Sequence, residues 1–295
     1  WGSQIVIYAL HSLAGNVGLA LYTAVLATAG MAVLYQICAG NVYLRAFALV
    51  LGASTAAVFW SARPQMLSFF LSTVVLYLLY SYKYQKKDRL WLLPIVMLIW
   101  GNLHAGFSIG FIFMGGVFAG EVANTILNPQ GENTIGWQGI RKLVMVGVVS
   151  VAVLVINPYG FQMLSVPFDT ASIGVLRDSI QEWNSPNFQG RQTWPFLIMI
   201  FLLIGTLGAT TSKRLDITDY FLVIGTAFMA FLYGRNVAVF AVVATPILTY
   251  YADASFTERG WNLRPVRRMT TMQIRLNTVL VIVIVLGALA NMIAV

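Results

Sequence analysis

Apolar runs separated by short polar clusters recur along the whole chain, and that pattern sets the first expectation. Stretches at 16–38, 44–60, 65–82, 89–104, 106–126, 140–156, 193–210, 217–233, 236–252 and 274–294 predict ten helices. The alternation of ten-residue barrel strands is not seen. In lipid, only helices and closed barrels satisfy every backbone N–H and C=O. The expected fold class is therefore all-α, a polytopic membrane protein with about ten transmembrane helices. Segments 89–104 and 140–156 fall short of the roughly 20 residues of a full crossing, and are expected to tilt, to stop halfway or to sit in thinned bilayer. Residues 2–11 read as a short amphipathic helix at the interface.

Composition agrees with the pattern. Apolar residues make up 59% of the chain and charged residues 9%, where soluble domains carry roughly a quarter charged. The formal charge of +8 lies mostly between apolar segments. There it sets topology and meets anionic headgroups; no basic groove with stacking aromatics points to nucleic acid. Cys38 is the single cysteine, which excludes an intrachain disulfide and a multi-cysteine metal site. His11 and His104 are the only histidines and have no partner ligands at metal spacing. No metal or cofactor is evident, and a divalent-ion requirement stays undetermined. The chain opens on Trp1 and ends at Val295 inside an apolar run, so both ends are expected to be cuts within a longer protein.

Charge also orients the helices. With the loop from Lys83 to Arg89 placed in the cytoplasm, alternation of ten spans puts fourteen of the eighteen basic residues on that side. Only Arg63, Arg177, Arg191 and Arg235 fall on the other. This is the positive-inside bias. It is lost if 89–126 is one span, so a turn at His104-Ala105-Gly106 is expected on the outer face. That face also carries the longest loop, 157–192, and long loops in compact proteins are more often functional than short ones.

The outer motifs carry the candidate chemistry. Arg63 lies in Ser61-Ala62-Arg63-Pro64-Gln65, with Pro64 suited to the first turn of a helix. A helix N-terminus offers free N–H groups and partial positive charge, so an arginine beside it suits a shared anion such as phosphate. The alternative is an interfacial arginine snorkelling to lipid phosphate. Arg235-Asn236, after Gly234, repeats the arrangement. In Trp100-Gly101-Asn102-Leu103-His104-Ala105-Gly106, His104 would bind or protonate a substrate oxygen, or else cap the carbonyls ending its own helix. Asn157-Pro158-Tyr159-Gly160 reads as a chain reversal with Asn157 giving a local hydrogen bond. The long loop holds Asp169, Asp178 and Glu182, the last beside Trp183. That carboxylate and aromatic suit a base or a sugar site, or else a solvated loop with an interfacial anchor.

Taken in order, Ala62-Arg63-Pro64-Gln65, Asn102-Leu103-His104-Ala105-Gly106, Asn157-Pro158-Tyr159-Gly160, Glu182-Trp183-Asn184-Ser185-Pro186 and Arg235-Asn236 resemble a group of bacterial polytopic proteins. The group is glycosyltransferase-like and belongs to the polyprenyl-phosphate-sugar-dependent superfamily with the C-type membrane fold, which includes protein mannosyltransferases. The resemblance covers residues 1 to about 252. It implies a C-type bundle in the bacterial cytoplasmic membrane and a polyprenyl-phosphate sugar as partner, with its headgroup at the outer face. It further implies that Arg63 and Arg235 serve the phosphate, and that Glu182 and His104 serve the sugar or acceptor. Gln65, Asn102, Trp183 and Asn236 complete the expected binding set. The superfamily's signature acid lies in a first outer loop, expected upstream of Trp1.

The resulting expectation has a core over 1–252, a basic cytoplasmic linker over 253–273 and a terminal helix over 274–295. Its function is sugar transfer from a polyprenyl-phosphate donor. A non-catalytic scaffold subunit of a membrane complex is the alternative. An anion or lipid-headgroup transporter is a third reading, which would require inverted repeats with broken helices at the midplane. The map predicts that, in a Cys38→Ser background, single cysteines replacing Lys87 and Gln189 react with a membrane-impermeant maleimide from opposite sides. Labelling from one side only would overturn the ten-span topology.

Overall fold

The computed structural model of the chain describes all residues except 174–179, 210–214, 262–268 and 295. Arg177, Asp178, Lys213, Arg214, Arg264, Arg267 and Arg268 lie outside the described residues. The helices are α1 (Gly2–Tyr35), α2 (Val42–Ala56), α3 (Gln65–Lys83), α4 (Leu92–Leu103), α5 (Ser108–Leu127), α6 (Gly136–Val153), α7 (Val166–Ser172), α8 (Trp194–Ala209), α9 (Ile217–Leu232), α10 (Val237–Glu258) and α11 (Thr271–Ala294). No strand occurs among the described residues. Seven segments are long and apolar enough to cross a membrane: Gly2–Tyr35, Val42–Phe59, Gln65–Lys83, Ala105–Leu127, Gly136–Val153, Arg191–Ala209 and Gly234–Glu258. Leu92–Leu103, Ile217–Leu232 and Thr271–Val283 are apolar but shorter. The chain is thus an all-α membrane protein.

Two local features depart from the pattern. The amphipathic stretch 2–11 and the apolar run from 16 belong to α1, which is broken at Gly15, whose φ of 56° and ψ of −141° are not helical. A Cβ on Gly18 would lie 2.3 Å from the Leu10 carbonyl oxygen. Eight residues of straight helix would separate them by about 12 Å, so the chain doubles back at Gly15. Helix α10 runs on to Glu258, six residues past the apolar run. Beyond its end the Arg259 guanidinium donates to the Ser255 carbonyl at 3.1 Å and the Ala209 carbonyl at 3.2 Å.

Helix α10 occupies the middle of the bundle and is almost wholly buried. It packs against α2, α8, α9 and α3. On the far side of α9 lies α5, then α6 and α4, while α1 covers α3. Small residues permit the close approaches, as between membrane helices generally: a Cβ on Gly120 of α5 would stand 2.4 Å from the Thr218 Cα of α9. The described side chains of α11 are exposed along its length. Residues 89–126 form two helices, broken at His104 and the 3-10 turn Ala105–Phe107. Ser68 of α3 meets His104, and Lys83 at the other end of α3 meets Glu121 of α5. Helices α3 and α5 therefore run the same way, and α4 runs against them.

The Lys83 end holds a buried ionic cluster that the motif reading did not find. Lys83 and Glu121 are paired with side chains 1% and 0% exposed. Asp216 lies 3.0 Å from the same ammonium. Glu121 also accepts from Thr218 at 2.7 Å and from the Ile135 N–H at 2.9 Å. Asp219 accepts from the hydroxyls of Tyr80, Tyr84 and Tyr251 at 2.7, 2.8 and 3.2 Å. Each carboxylate is thus met by donors, as an apolar surround demands. The network ties α3, α5, α9, α10 and the 128–135 turn together. Removing one partner of a buried pair costs about 3–5 kcal/mol. Lys83→Met is expected to lose stability on that scale in thermal unfolding of the purified protein, and Lys83→Met/Glu121→Gln to recover part of it. An unchanged midpoint in Lys83→Met would show that the pair does not brace the bundle.

Candidate functional site

The end of the bundle opposite Lys83 carries two neighbouring cavities. Between them stands the 3-10 turn Gln181–Trp183. Its position is set by a backbone bond, the Gly234 N–H donating to the Asn184 carbonyl at 2.8 Å. This docks the long loop on the α9–α10 connection. As a result the Arg235 guanidinium lies 4.3 Å from the Trp183 ring centroid, a cation–π contact. Trp183 also stands edge-on to Tyr233, with centroids 6.3 Å apart.

The first cavity, about 300 Å³, is walled largely by apolar side chains. Its polar groups include Gln65, Ser68, His104, Trp183, Arg235 and Asn236. Arg235 is the one charged side chain on its wall, and no carboxylate lines it among the described residues. The second cavity, about 350 Å³, is bounded by Arg63, Glu182, Asn184, Asn187, Gln192 and Thr193. Glu182 and Trp183, adjacent in sequence, thus serve different cavities. Arg63 lies 3.5 Å from Glu182, with side chains 61% and 25% exposed. Arg63 and Arg235 therefore do not converge on one space; they stand on either side of the 181–183 turn.

His104 is held by a defined set of contacts. Trp100, fully buried on α4, donates its indole N–H to the Ser68 hydroxyl at 2.8 Å. Ser68 Oγ is 2.6 Å from His104 Nδ1. The Gly106 backbone N–H donates to the same Nδ1 at 3.1 Å. The imidazole therefore caps the start of the next helical turn rather than the carbonyls ending α4. Gly106 is required for close approach, since a Cβ there would lie 2.3 Å from Ser68 Oγ and 2.8 Å from His104 Nδ1. Burial lowers the His104 pKa to about 4, and the positive charge of Arg235 adds to the effect. The ring is neutral at pH 7.

The other expected residues take supporting places. Gln65 Nε2 donates to the Phe59 carbonyl at 2.9 Å and Asn236 Nδ2 to the Met229 carbonyl at 3.2 Å, and both line the first cavity. Asn102 lines neither cavity; its amide bridges the Leu98 and Ile156 carbonyls, each at 2.9 Å. Asn157 accepts from the Tyr159 N–H at 2.7 Å, and Gly160 has φ 56°, forming the reversal expected there. Asp169 accepts from Ser165 at 2.7 Å. Ser68 was not among the expected residues. Its signal was only its spacing, one helical turn beyond Gln65 on the same side. Among the described residues there is no group of three or more metal-ligating side chains.

Comparison with protein-family models, with curated proteins and with solved structures gave no match to this chain. Chemically, the first cavity suits an anion with an apolar body: one stacked guanidinium and a neutral imidazole at its polar part, aromatic and aliphatic walls elsewhere. Because Arg63 is exposed and its nearest nitrogen stands 3.5 Å from the half-buried Glu182, the pair contributes at most about 1 kcal/mol. Arg63→Ala is expected to leave the thermal unfolding midpoint within a few degrees of the parent, and a large fall would show that the pair holds the long loop in place.

Proposed function

We propose that the chain is a membrane glycosyltransferase of the C-type fold that takes a polyprenyl-phosphate sugar, with ten crossings and its basic loops in the cytoplasm. The cavities then lie at the outer face. The observation that carries the reading is the first cavity: mostly apolar walls, Arg235 held against Trp183, and no carboxylate among the described residues lining it. A lipid phosphate has both parts of that chemistry. Arg235 would hold the phosphate, and His104 an oxygen of the phosphate or sugar. In the reaction, an acceptor hydroxyl attacks the anomeric carbon and the bond from that carbon to the phosphate oxygen breaks. The lipid phosphate leaves, and the hydroxyl proton passes to a base. Guanidinium charge facing the departing phosphate stabilises the transition state.

One observation favours the scaffold reading. Glu182 is the only carboxylate lining either cavity among the described residues, and it faces Arg63 rather than the first cavity. A site that binds lipid phosphate without a base would retain the ligand and lack the turnover.

Binding separates both readings from neither. Native mass spectrometry of the full chain with polyprenyl phosphate, uncharged polyprenol and phosphatidylglycerol is expected to show preference for polyprenyl phosphate. Loss of a hydrogen-bonded charge costs about 1.5–3 kcal/mol, roughly ten-fold or more in affinity, so Arg235→Ala is expected to weaken that binding by this factor. Equal binding of all three lipids, or no effect of Arg235→Ala, would sink the proposal. Sugar transfer to a hydroxyl acceptor by the same preparation then selects the enzyme over the scaffold.

A further inference from the structure

His104 is one of two histidines in the chain, and its two ring nitrogens have unequal surroundings. Nδ1 faces two donors. The Gly106 N–H can only donate, and it points to Nδ1 at 3.1 Å. That alone makes Nδ1 an acceptor. The Ser68 hydroxyl has already accepted the Trp100 indole N–H, and its own proton is free to go to Nδ1 at 2.6 Å. The three groups form a chain with one direction: indole N–H to serine oxygen, serine O–H to imidazole nitrogen. A proton on Nδ1 would oppose the Gly106 N–H directly and force the serine to reverse. The single proton of the neutral ring is therefore on Nε2. No hydrogen bond engages Nε2 among the described residues, and the ring lines the first cavity.

We infer that Ser68 and Gly106 are positioning residues that hold His104 in its Nε2–H tautomer, so that the ring serves the cavity as a neutral hydrogen-bond donor to a ligand oxygen and not as a base or an imidazolium acid. The part concerning the ligand rests on the function proposed above; the tautomer does not. The surroundings agree from each side. Helix α3 presents Ser68, Ser72 and Gln65, α4 presents Trp100, and neither set is ionised. The charged group acting on the ring is the Arg235 guanidinium, and it opposes protonation. On α7, Asp169 is engaged by the Ser165 hydroxyl. A base at this position would need a free nitrogen lone pair toward the cavity, and the lone pair is spent on Ser68 and Gly106. The ligand atom facing His104 is then an acceptor, such as a phosphate oxygen, a sugar ring oxygen or a hydroxyl accepting a bond.

The test uses the full chain with ¹⁵N-labelled imidazole rings and His11→Gln, which leaves one histidine. The expected spectrum shows a pyridine-type Nδ1 and a protonated Nε2, with no imidazolium from pH 8 down to pH 5. An Nδ1–H tautomer, or protonation near pH 6.5, would overturn the inference. Ser68→Ala is expected to admit the second tautomer or to move the titration upward, and Ser68→Thr, which keeps the hydroxyl, to restore the parent spectrum. An unchanged spectrum in Ser68→Ala would remove Ser68 from the role. Added polyprenyl phosphate is expected to shift the Nε2 resonance. A ligand that binds by mass spectrometry and leaves Nε2 unmoved overturns the donor role. Absence of binding, with the tautomer intact, overturns the proposed function and leaves the positioning of His104 standing.

Discussion

In an apolar surround a charge or an open backbone group has no water to turn to, so each must be met inside the chain. Lys83 and Glu121 meet that condition in each other, with Asp216, Thr218 and the Ile135 N–H taking up the remaining valences. The consequence reaches the opposite end of the bundle. Positions 68 to 83 on α3 and 106 to 121, from the Ala105–Phe107 turn into α5, span the same fifteen-residue interval. Because the two helices run in parallel, fixing Lys83 on Glu121 brings Ser68 to the level of Gly106, about 22 Å away along the helix. The ion pair at one end therefore sets the register that lets Ser68 and Gly106 hold His104 at the other.

The same constraint keeps the described charged side chains at the two ends of the bundle, while buried hydroxyls between them, such as those of Thr73 and Thr245, donate to carbonyls of their own helices. At the His104 end the polar layer is built from turns rather than helices: the 3-10 turns at Ala105–Phe107, Gln181–Trp183 and Gly234–Asn236. Side chains on and beside these turns, His104, Trp183, Arg235 and Asn236, supply polar groups of the first cavity, while α3, α5, α9 and α10 contribute its apolar wall. A site made this way can hold an anionic head and an apolar body together, which is the chemistry of a lipid phosphate.

The helices were legible because burial in lipid demands long apolar runs, and ten such runs coincide with helices to within a few residues, apart from the ends of α1 and α10. The doubling back at Gly15 was not legible, since one glycine among apolar residues does not distinguish a bend from a close contact. The candidate residues were only partly legible. Arg63, Glu182, Trp183, Arg235 and His104 do gather at one end, but in two cavities, with Asn102 committed to backbone carbonyls. The buried acids were missed for a physical reason. Glu121 and Asp219 sit inside apolar runs, where an ionisable group signals a partner elsewhere in the chain, and those partners, Lys83 for one and Tyr80, Tyr84 and Tyr251 for the other, lie tens of residues away.

By itself the sequence determined the all-α membrane class, the helix positions and the short polar motifs, because hydropathy and turn chemistry are local properties of consecutive residues. Tertiary structure alone decided that Lys83 is a buried partner of Glu121 rather than a solvated loop lysine. It also decided that Glu182 and Trp183 divide between two cavities, that Arg235 is held on Trp183, and that Ser68 stands between Trp100 and His104. Each of these depends on side chains tens of residues apart being brought within hydrogen-bonding reach. Only the relative register and packing of the helices fixes that distance, and no local pattern along the chain encodes it.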